Sequence, residues 1–128
     1  MDDKELYIIA KKACENAYAP YSGFNVGAAL LTASGEVITG ANIENASYGA
    51  AICAERTAFV KAVSEGHRDF TAIAVASSGG AAWPCGICRQ FMYEFCEDLR
   101  VISGDDPGSL EAYPLKELLP KGFKLELP

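Results

Sequence analysis

Three cysteines in two separated segments place the tightest constraint on how this chain can fold. In Pro84-Cys85-Gly86-Ile87-Cys88 the two cysteines are three residues apart, so on the first turn of a helix their sulfurs share one face. The third, Cys53, opens Cys53-Ala54-Glu55-Arg56 and has to reach the same point across 31 intervening residues. Three thiolates can hold a zinc ion while leaving its fourth tetrahedral position free, the arrangement of a catalytic rather than a closed structural metal. Cys-x-x-Cys by itself is common and also serves redox pairs; joined to Cys-Ala-Glu it is far more specific. A fold that uses this set must bring the starts of two helices together.

The rest of the composition is permissive. A chain of 128 residues, half of them hydrophobic and 22% charged, is expected to form one globular domain spanning 1–128. Its net charge of -6 opposes a nucleic-acid surface, which needs a basic patch. Met1-Asp2-Asp3-Lys4-Glu5 lacks the basic lead and apolar run of a signal peptide, and no apolar stretch is long enough to span a bilayer. The expected compartment is therefore the cytoplasm, where thiols stay reduced. Five cysteines fit a disulfide framework poorly. Cys14 and Cys96 read as small buried hydrophobes.

Periodicity predicts a helix over residues 3–17, with Asp2 as its cap, and then a loop through Pro20 and Gly23. Strands follow over 24–32 and 37–41, joined by a turn at 33–36. Residues 46–52 read as a loop. A helix runs from Cys53 to about Ser64 and stops at Gly66. A buried strand is expected over 70–76, then a Gly/Ala/Ser loop over 77–83. Pro84 fits the first turn of a helix reaching about Glu97. Val101-Ile102 reads as a short strand and residues 114–119 as a short helix. This order implies a mixed sheet with helices on its faces. Both cysteine-bearing helices follow strands, so their N-termini can meet at one end of the sheet, where open α/β sheets bind ligands.

Helix N-termini suit thiolates, because the dipole and free N–H groups stabilise the anion. Three thiolates still outweigh the two charges of zinc. Arg56, one turn from Cys53, is the nearest group able to withdraw charge from the sulfurs. Glu55 lies roughly 200° around the helix from Cys53, given 3.6 residues per turn. It cannot share a ligand face with Cys53, and is better placed over the open metal position, where a carboxylate can move protons. His67, the only histidine, follows Gly66 in a polar loop and reads as a solvated residue rather than a fourth ligand.

These motifs, together with Tyr21-Ser22-Gly23-Phe24-Asn25-Val26-Gly27, Asn42-Ile43-Glu44-Asn45-Ala46-Ser47-Tyr48 and Glu117-Leu118-Leu119-Pro120, resemble the small, homotetrameric cytidine deaminases with three cysteine ligands. The resemblance implies a three-layer α-β-α sandwich around a mixed five-stranded sheet, and one zinc per subunit held by Cys53, Cys85 and Cys88. It implies hydrolytic deamination of cytidine and 2′-deoxycytidine to the uridines in pyrimidine salvage, with Glu55 as proton shuttle. Asn42 and Glu44 then correspond to the pair that binds the ribose, and Phe24 to the ring that stacks on the pyrimidine. The Ala54 backbone belongs to the base-recognition set, Arg56 bonds the thiolates, and Phe123 aligns with an aromatic that reaches a neighbouring subunit's site. Tyr48 can be read as a pocket wall or as an interface residue. Three other readings compete: a deaminase of a cytosine-containing nucleoside antibiotic, a polynucleotide-editing deaminase, and a non-catalytic zinc-stabilised nucleoside-binding protein. Cys53 in place of the editing enzymes' usual His opposes the second, and Glu55 opposes the third.

Overall fold

The computed structural model describes residues 1–127. Asp2 ends the extended N-terminus, and its carboxylate accepts the Glu5 N–H at 2.8 Å, starting helix α1 (Asp3–Ala13). The helix is shorter than its apolar spacing predicts and closes in a single 3-10 turn over Cys14–Asn16. Strands β1 (Val26–Thr32) and β2 (Val37–Ala41) form the expected hairpin. Helix α2 (Ala54–Ser64) begins immediately after Cys53. It ends where Gly66 takes φ +100, letting the His67 N–H return to the Ala62 carbonyl and the Gly66 N–H to that of Val63.

Strand β3 (Phe70–Ser77), helix α3 (Gly86–Tyr93) and strand β4 (Arg100–Gly104) follow. Residues 94–97 leave α3 through a turn in which the Phe95 N–H bonds to Met92 O, so α3 is one turn shorter than expected. Pro84 precedes the first helical residue by two positions rather than lying within the first turn. Strand β5 (Leu110–Pro114), which no run of β-formers announces, pairs antiparallel with β4 at the sheet edge, and α4 (Leu115–Leu118) is the last helix among the described residues. An edge position is where a strand tolerates a proline such as Pro114.

The sheet order is β2-β1-β3-β4-β5, with only β3 and β4 parallel. Period-two alternation divides its side chains between two faces. Ala29, Ala72, Ala74, Ala76 and Ile102 pack under Leu6, Tyr7, Ala10 and Cys14 of the N-terminal helical segment. Leu30, Ile73, Val75 and Val101 meet Phe59 of α2 and Met92 of α3 on the other face. The mixed five-stranded sheet lies between these two helical layers, as the resemblance implies. The parallel β3–β4 pair requires a crossover, and that crossover is the segment carrying Cys85 and Cys88.

Candidate active site

The segment leading to Cys53 is held without belonging to the main sheet. Ile43 and Ile52 exchange both N–H···O bonds, at 2.9 and 3.0 Å, while Tyr18 N–H bonds to Asn42 O and Glu44 N–H to Tyr18 O. This frame delivers Asn42 and Glu44 to one rim and Cys53 to the start of α2. On the other side, the Arg89 guanidinium donates to Pro84 O and Leu118 O, both at 2.7 Å, fixing the turn that presents Cys85.

Cys53 and Cys85 occupy the N-cap positions of α2 and α3, and Cys88 the third position of α3. Neither cap residue uses its side chain to satisfy the helix. The free amides at both ends therefore favour negative charge on the sulfurs. The three sulfurs lie within 4.8 Å of one another, with Cys53 and Cys85 4.0 Å apart. Tetrahedral sulfur ligands at about 2.3 Å from zinc stand about 3.8 Å from each other, so the donor set fits this metal in both type and spacing. The ionisation pattern agrees. Cys53 is pulled down to about 5, first by the Cys88 thiol donating to it and then by Arg56. Cys88 is pushed upward, first by the hydrogen bond its thiol donates to Cys53 and then by its own burial. A bound divalent cation would favour loss of the Cys88 proton as well, since zinc-ligating cysteines are thiolates.

Arg56 reaches this cluster from one turn along α2, its Nη2 3.8 Å from Cys53 Sγ. Its Nε is buried and is the one buried side-chain nitrogen or oxygen without a hydrogen-bond partner among the described residues. Glu55 is only 4% exposed, and burial raises its carboxyl to about 7. Among the described residues, no other Asp, Glu, Lys or Arg is buried. Burying a carboxyl is costly, and one shifted this way at a cavity is a candidate for proton transfer.

Glu55, Cys53 and Cys85 form the floor of a cavity of about 290 Å³. Ala54, Phe24, Val26 and Asn42 line its flanks and Glu44 with Ser22 its mouth. The Asn42 amide is engaged twice, donating to Phe24 O at 2.9 Å and accepting from Val26 N–H at 2.8 Å, so it also sets where Phe24 stands. Glu44 accepts from the Tyr21 and Ser22 N–H groups and the Ser22 hydroxyl, and the last of these lowers its carboxyl below the usual range. Ala82 and Trp83 complete the wall. No role for Ser22, Val26, Ala82 or Trp83 follows from the sequence motifs. The position of Trp83 just before Pro84-Cys85, as the sole tryptophan, was the available signal.

Other expected residues lie elsewhere. Phe123 is 63% exposed and outside this cavity, its backbone paired with the Gln90 side chain. Tyr48 is exposed, set edge-on to Tyr21, and lines a second hollow of about 370 Å³ that reaches Cys53, Cys85 and Arg56 from outside. His67 stands away from the sulfurs, its Nε2 3.1 Å from Glu36. The Cys14 and Cys96 thiols face the carbonyls of Ala76 and Phe70. A larger cavity of about 460 Å³ beside α1 contains none of the expected site residues.

A family model described as "Cytidine and deoxycytidylate deaminase zinc-binding region" matches residues 1–104. The chain belongs to the cytidine and deoxycytidylate deaminase family. It is 53% identical over 128 residues to the cytidine deaminase of Halalkalibacterium halodurans, covering 98% of this chain and 97% of that one. Within the family, the crystal structure of the Burkholderia pseudomallei cytidine deaminase superposes with a TM-score of 0.91 at 46% identity, over 96% of this chain and all of that one. A blasticidin-S deaminase from Bacillus cereus is 32% identical over 127 residues.

Proposed function

We propose that this protein hydrolyses cytidine and 2′-deoxycytidine to uridine and 2′-deoxyuridine, releasing ammonia. One observation carries the reading: one nucleoside-sized cavity has Cys53 and Cys85 of the three-sulfur cluster and a buried carboxyl at its floor and the Glu44–Ser22 pair at its mouth. Cys53, Cys85 and Cys88 would hold the zinc. When bound, the metal supplies Lewis acidity that makes water nucleophilic at neutral pH. The chain's own groups do the remainder. Phe24 offers an aromatic face to the planar base. Ala54, at the first position of α2, has an N–H with no partner within the helix, free for the base carbonyl. Glu44, held ionised, accepts ribose hydroxyls beside Asn42.

Glu55 takes a proton from the attacking water and passes it to ring N3 as the oxygen adds to C4. It then takes the proton of the new C4 hydroxyl and delivers it to N4, so that ammonia leaves as the C4–N4 bond breaks and the C4 carbonyl of uridine forms. Arg56 offsets the excess negative charge of the thiolates. The Glu44–Ser22 mouth favours a ribose over the antibiotic suggested by the blasticidin-S deaminase likeness. Loss of cytidine absorbance on incubation with the purified protein tests the proposal. Zinc-loaded protein that leaves cytidine intact but turns over the antibiotic would replace it with the second reading.

We further propose that the chain works as a cytoplasmic homotetramer in pyrimidine salvage. In support, Tyr48, Ile87 and Phe123 are exposed, and the outer hollow bordered by Tyr48 and Ile87 opens onto Cys53 and Cys85. No helix among the described residues is long and apolar enough to cross a membrane. Light scattering on the purified protein reads the assembly directly, and a monomeric mass at working concentration overturns that part.

A further inference from the structure

The roles above leave Ala82 and Trp83 as cavity wall without a task. Their loop is clamped at nearly every residue. Ser77 Oγ donates to Gly80 O at 2.6 Å and accepts the Gly79 N–H. Asp105 accepts the Ala81 N–H, and Ser103 Oγ accepts that of Ala82 while donating to Val75 O. Beyond it, Pro84 is fully buried. The Trp83 ring is seated edge-on against Tyr113 of β5, with centroids 5.5 Å apart. This wall is pre-set rather than adaptable.

The orientation of the base follows from the two helix starts. Carbon 4 has to lie at the sulfurs, and N3 has to face Glu55, with the neighbouring carbonyl at Ala54; both belong to α2. The opposite side of C4, carbon 5, is then turned away from α2 toward the loop that leads into α3. We propose that Trp83 faces carbon 5 of the bound cytosine and limits the size of the group it can carry. This assignment rests on the reading of the cavity as a cytidine site. At about 290 Å³ the cavity stands at the small end of ligand pockets, so there is little slack to absorb a substituent.

The test compares kcat/KM for cytidine and its 5-methyl, 5-ethyl and 5-propyl derivatives, since alkyl groups leave the electron demand of the ring nearly constant. Wild-type protein should lose roughly tenfold or more across the series. Trp83→Ala should cut that ratio by about the same factor, with Trp83→Phe between them. Calorimetric binding of uridine, 5-methyluridine and 5-ethyluridine should follow the same order without any turnover. A wild-type series that is flat in both rate and binding overturns the wall while the deaminase reading stands. So does a Trp83→Ala ratio equal to wild type, the result expected if the indole lay over the face of the base. No wild-type turnover of cytidine and no uridine binding would overturn both.

Discussion

Gly40 tests whether the spacing of two helices sets the rate. It lies in β2 directly beneath α2, and a Cβ there would stand 2.5 Å from Ala58 N, 2.6 Å from Ala54 O and 3.0 Å from Ala58 Cα. Ordinary contact begins near about 3.5 Å, and none of these main-chain atoms can rotate aside, so Gly40→Ala should drive α2 outward by about 1 Å. Overpacking of this kind costs about 1–3 kcal/mol of stability. The displaced helix begins at Cys53 and carries Glu55, whereas Cys85 and Cys88 ride on α3. Misplacing reacting groups by about 1 Å costs on the order of 100-fold in rate. Gly27→Ala is the matched control: its Cβ would lie 2.1 Å from Ala10 O and 2.6 Å from Cys14 N, pushing α1 off the opposite face. Both variants should unfold at lower urea concentration, yet only Gly40→Ala should lose turnover per folded molecule, with weaker zinc retention. Urea titration, metal analysis and cytidine turnover on the same samples measure all three. Equal loss of turnover in both variants, or an unchanged urea midpoint for Gly40→Ala, would refute the reasoning.

The other predictions concern the floor of the cavity. Glu55→Gln should keep its fold and zinc and lose about 10²–10⁴-fold in turnover, the usual contribution of a positioned proton carrier; substantial residual activity would remove Glu55 from that role. Arg56→Ala should lower turnover roughly tenfold to a hundredfold, the worth of a charge-assisted hydrogen bond, with far less effect on zinc content, and parallel loss of metal would make it a folding residue instead. Removing zinc with a chelator should abolish turnover and bring it back on adding the metal; activity that persists in metal-free protein would contradict the assignment of the three cysteines.

The Cys85–Cys88 pair, the Cys53–Glu55 offset and the hairpin could be read along the chain because each depends on spacing of a few residues. A three-residue interval puts Cys85 and Cys88 on one helical face, and the Cys53–Glu55 offset turns the carboxyl away from the ligand side. Asp2 and Gly66 mark helix ends through bonds to neighbours three to five residues away. Strand β5 escaped such reading because its residues are stabilised by the register with β4, not by their own propensity. The length of α3 escaped it as well, since apolar spacing continues through Phe95 while the backbone has already turned.

The amino-acid order alone therefore nominates which side chains have metal-binding and proton-carrying chemistry, since that depends on residue type and helical geometry. Only the tertiary structure decided what surrounds them. The Asn42 amide positions Phe24 from 18 residues away, and Ser103 fixes Ala82 from 21 residues away. Trp83 becomes a cavity wall because β5 supplies Tyr113 behind it. Burial of Glu55 beneath the cavity, which raises its carboxyl to about 7, is likewise a property of the packed helices and not of the local sequence.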